Sequence, residues 1–174
     1  ETKQIRQLAE VQSGLVKETD DLITTLKPAE VFALALSGAS RAMQQAATRL
    51  KNKQPDLRTV EFEKHAKQRF IDLASALKLG KSETGPTPQG EVSSQGTLLS
   101  GVPQLAQLKM LKSMQDDINR RTEELDAVKR QNPRLTADQL QDQSDLAEEQ
   151  GKLADLLQNF TQAVMKADRK STRL

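Results

Sequence analysis

The 174-residue chain carries 26 Lys+Arg against 24 Asp+Glu, 36% hydrophobic residues, four Phe, and no Trp, Tyr or Cys. That length fits one ordinary domain or two small helical ones, and the apolar share predicts a narrow core. Lack of cysteine excludes disulfides, thiolate catalysis and cysteine-ligated metals, and a net charge of +2 with interspersed signs gives no electrostatic case for nucleic acid.

Few aromatics speak against sandwiches and barrels and suit long amphipathic helices. No run approaches the ~18–20 consecutive apolar residues of a membrane span. The chain opens at Glu1 directly in a heptad pattern, which reads as a processed chain or an excised domain, so a missing leader carries little weight.

The first helix is predicted from about Thr2 to Leu26. Ile5, Leu8, Gln12, Leu15, Thr19, Leu22 and Leu26 alternate steps of three and four among charged neighbours, a coiled-coil-like seam. Gly14 costs about 1 kcal/mol against Ala, yet the pattern runs through it. Lys27-Pro28 ends this helix, and Pro28 is expected as the first residue of the next, about Pro28 to Lys51. Phe32, Leu36, Ala39, Met43, Ala46 and Leu50 form its stripe. The many flanking alanines allow close approach of a neighbour and predict the most buried helix.

Pro55-Asp56 breaks the chain, and Asp56 or Thr59 is placed to cap a third helix. Phe62, Ala66, Phe70, Leu73 and Leu77 are its core stripe, with Gly80 as the expected stop. Residues 80–101 hold five of the eight Gly, with Pro86, Pro88, four Ser and three Thr, a linker or long loop whose Leu98-Leu99 is placed to pin its end. A fourth helix is predicted from about Pro103 to Gln131, ended by Asn132-Pro133. Thr136 and Gln139 form a capping box for a fifth, continuing to about Ala167. The last two helices, joined by a short turn, predict an antiparallel hairpin.

One stretch recurs. Leu111, Gln115, Ile118, Thr122 and Leu125 occupy one stripe, and Leu8, Gln12, Leu15, Thr19 and Leu22 repeat it. Leu146, Gln150, Leu153, Leu157 and Phe160 repeat it more loosely. The polar members read most simply as amides that bond one another and set register, so each Gln needs a partner in the folded state. The other reading is a polar channel or ligand site inside the bundle.

Catalytic patterns are missing. His65 is the only histidine; with Glu61 it supplies two ligands on one helix face, far short of a di-iron set. Gly80-Lys81-Ser82 has the tail of a phosphate loop, but Ser75 stands where the first glycine belongs, with no preceding strand. Asn159-Phe160-Thr161 matches a glycosylation sequon inside a predicted helix and is expected to be silent. The basic end, Lys166 to Arg173, reads as a solvated, fraying tail; as a weak nucleic-acid or membrane-surface binder it predicts salt-sensitive binding lost on truncation after Met165.

The run Gln107 to Glu123, with Leu146-Ala147-Glu148-Glu149-Gln150-Gly151-Lys152-Leu153-Ala154, resembles a helical, coiled-coil-rich region of large uncharacterised planctomycete-type bacterial cell-envelope proteins. The resemblance covers about 105–160, and residues 1–50 resemble the same proteins more faintly. It implies a cell-envelope location, periplasmic or exported, and a scaffolding role. It carries no active-site residues.

The fold expected is all-α: an elongated antiparallel helical bundle of about five long amphipathic helices with coiled-coil-like seams. It comprises a three-helix unit (1–79), the 80–101 linker and a hairpin with basic tail (102–174), packed on the first unit or paired with another chain. The function expected is a non-catalytic structural or protein-interaction bundle, part of a larger bacterial envelope protein. It meets protein partners or itself through helix faces, with no cofactor, metal, nucleic acid or membrane span. The interaction seam comprises Leu8, Gln12, Leu15, Thr19, Leu22, Leu111, Gln115, Ile118, Thr122, Leu125, Leu146, Gln150 and Leu153. The alternative is a regulatory or sensing bundle holding a small polar molecule at the Gln/Thr seam.

Overall fold

A computed structural model describes residues 2–82 and 102–171, and all regular structure among them is helical. The elements are α1 (Thr2–Thr25), α2 (Glu30–Lys51), α3 (Leu57–Ser82), α4 (Gln104–Gln131) and α5 (Ala137–Ser171). The antiparallel all-α fold expected from periodicity is present. The expected linker lies outside the described residues from 83 onward, Leu98-Leu99 included, as do the side chains of the basic tail. The chain divides into two compact units, one ending at Met110 and one beginning at Leu111, so that α4 contributes to both.

In the first unit α2 packs on both α1 and α3. Half of its residues are buried, among them Phe32, Leu36, Met43, Leu50 and five alanines. Small side chains let the neighbouring backbones come close, so a narrow helix fills the space between two others. Ala39, Ala42, Met43 and Ala66 make the centre of this core, with Val16, Phe62 and Phe70 packed against it.

The connections follow local chemistry. Pro28 lies in the α1–α2 turn and is not the first residue of α2, because Leu26 to Ala29 close a turn of their own, Ala29 N–H donating to Leu26 O at 2.8 Å. Ala29 instead caps α2 with its carbonyl, which accepts from the N–H groups of Phe32 at 2.8 Å and Ala33 at 2.9 Å. At the other end Gln54 N–H donates to Arg49 O at 2.9 Å and Lys53 N–H to Leu50 O at 3.0 Å, a Schellman closure. It places Lys53 at φ 57°, where glycine is the usual occupant.

Asp56 caps α3: its Oδ1 accepts from Thr59 N–H at 3.2 Å, while Arg49 Nη2 reaches Oδ2 at 2.5 Å and ties the end of α2 to the start of α3. The Arg49 hydrogen bond holds the Asp56 carboxyl below the usual carboxylate range, with Thr59 assisting. Helix α3 does not stop at Gly80 but continues to Ser82. A single glycine costs a helix about 1 kcal/mol and does not by itself end it.

In the second unit the capping box forms: Thr136 N–H donates to Gln139 Oε1 at 2.9 Å, and Gln139 N–H to Thr136 Oγ1 at 3.3 Å. It starts α5 antiparallel to α4. From Asn119 to Asp145, the turn end of this hairpin, no residue is buried.

Candidate interaction surface

The hairpin pairs two copies of the recurring stretch. Gln115 Nε2 donates to Gln150 Oε1 at 3.0 Å, and Gln150 Nε2 donates back to Gln115 Oε1 at 3.2 Å. Gln115 also donates to Asn119 Oδ1 at 2.9 Å. Leu111, Ile118, Leu146 and Leu153 are buried, Leu125 is half-buried and Thr122 is exposed. Thr122 Oγ1 donates to Ile118 O at 2.8 Å, a bond within its own helix.

Beside the amide pair runs a charged network that periodicity did not reveal. Asp117 is buried and meets Arg120 at 2.5 Å and Arg121 at 3.6 Å, while Arg121 crosses to Glu149 on α5 at 2.8 Å. Arg120 also pairs with Glu124 at 2.7 Å. Burial alone would lower the Arg120 guanidinium, but its hydrogen bonds to Asp117 and Glu124 outweigh that and raise it. Asp117 and its two guanidiniums share one helix, so it is the Arg121–Glu149 pair that bears on the register of α4 against α5, with Asp117 holding Arg121 in place. The only sequence signal was that Arg121 and Glu149 flank the repeated stripe, and flanking charges usually read as solvated.

The first copy of the stretch behaves differently. Thr19 is buried and its Oγ1 donates to Leu15 O at 2.8 Å, and Gln12 is half-buried. Leu8, Leu15 and Leu22 are 56%, 44% and 49% exposed, with Val11 at 56% beside them. Helix α1 packs through Ile5, Ala9, Gln12, Val16, Thr19, Ile23 and Leu26, buried or half-buried, so the packed stripe is rotated from the expected one. The two stripes share every seventh residue and differ in whether Leu8 or Ala9, Leu15 or Val16, Leu22 or Ile23 completes the turn. Opposite a narrow, alanine-rich α2, the smaller member of the first two pairs allows closer approach. The contact is fastened by Ser40 Oγ, buried on α2, donating to Asp20 Oδ1 at 2.6 Å.

At 100° per residue, Leu8, Val11, Leu15 and Leu22 fall within about 60° of arc, so α1 carries a continuous outer apolar stripe beside its packed face. His65 is half-buried on α3, and among the described residues no group of His, Cys, Asp or Glu is arranged to hold a metal ion. Asn159 is exposed within α5. Deeply buried Arg69 and the Arg58 guanidinium 4.8 Å above the Phe62 ring are structural features that apolar spacing missed. No described helix is long and apolar enough to cross a membrane. Comparison with protein-family models, with curated proteins and with solved structures found no match.

Proposed function

We propose that this chain is a non-catalytic structural or protein-interaction bundle that meets other proteins, or copies of itself, through its helix faces. The observation that carries this reading is the outer stripe of α1: four large apolar side chains at helical spacing, exposed on an otherwise charged helix. Covering such a stripe is favourable by roughly 25 cal/mol per Å² of apolar surface removed from water. The reciprocal Gln115–Gln150 bonds support a structural use of the polar seam, because amides engaged with each other are not offered to a ligand. A small polar molecule held there would first have to separate them. Following the resemblance of residues 105–160, we also propose a bacterial cell-envelope location and a larger envelope protein as the parent.

The test is cross-linking of the full chain in its native cells, read by mass spectrometry. Cross-links from lysines beside the stripe (Lys3, Lys17) to another protein or another copy are expected. A cross-link map confined to single chains would sink the interaction reading. A thermal-shift panel of small polar molecules separates the alternative: a rise in Tm that disappears in the Gln115→Leu/Gln150→Leu double variant would favour ligand sensing.

A further inference from the structure

We draw no further inference here: the strongest candidate, the exposed apolar stripe of Leu8, Val11, Leu15 and Leu22 along the outer side of α1, is an unpartnered helix face, and nothing in the structure shows what covers it.

Discussion

The core around α2 and the seam of the α4–α5 hairpin join helices by different means. Around α2 the contact is made by volume: Phe32, Leu36, Met43 and a row of alanines interlock with α1 and α3, and the only buried polar member of the helix is Ser40. In the hairpin Leu111, Met114, Ile118, Leu146 and Leu153 are buried as well, and beside them a reciprocal amide pair and the Arg121–Glu149 ion pair cross from α4 to α5. Packing is non-directional and tolerates small slips, whereas a reciprocal amide pair is satisfied in one register only. The three-helix unit therefore gains stability mainly from shape, and the hairpin gains alignment mainly from hydrogen bonds.

Substitution should pull these two regimes apart. Phe32→Ala, in the volume-filled core, should cost about 3–5 kcal/mol in denaturant unfolding, while Leu15→Ala on the exposed stripe stays within about 0.5 kcal/mol for the monomer. Equal losses would erase the distinction between packed and outer faces of α1. In the hairpin, Gln115→Leu should cost about 1–2 kcal/mol because Gln150 loses its partner, and adding Gln150→Leu should recover most of that loss. If the second change instead added to the first, the amide pair would not be the coupled element.

Smaller effects test the helices themselves. A Cβ added at Gly14 or Gly151 meets nothing within 4 Å, so Gly14→Ala and Gly151→Ala should each raise stability by about 0.5–1 kcal/mol, seen as a higher Tm. The smallest change concerns acid. The folded-state pKa of Asp56 is depressed below 3.8, so its contribution is present above that value and is lost as pH falls through the folded pKa. Asp56→Asn should remove this part of the acid dependence of Tm and leave the curve near neutrality unchanged in shape.

Much of this fold was legible. All five helices start and end within about four residues of where periodicity and capping put them, and the Thr136–Gln139 box and the Gln115–Gln150 pair were readable from spacing. The exceptions share a cause. Leu8, Leu15 and Leu22 stand out as a seam because they are the larger members of their turns, but which face is packed depends on the width of the neighbour, a tertiary quantity. Gly80 signals a stop only when the next residues cannot continue the helix. Arg121 and Glu149 look solvated in one dimension because each is covered by a partner 28 positions away. The outer stripe of α1 was visible as letters but not as an exposed surface, since exposure is defined by what fails to cover it.

The turn end of the hairpin, where nothing from Asn119 to Asp145 is buried, has a consequence for motion. Its backbone hydrogen bonds are shielded mainly by the charged side chains along them, so separating the helix ends there exposes little apolar surface beyond that of half-buried Leu125 and Leu135. Amide hydrogens in that segment should exchange with solvent through local fraying, at an opening free energy well below that of the amides of α2 around Ala39 and Met43. Exchange rates along α4 should then fall from Gln131 back toward Met114, a gradient within a single helix set by what lies beside each turn.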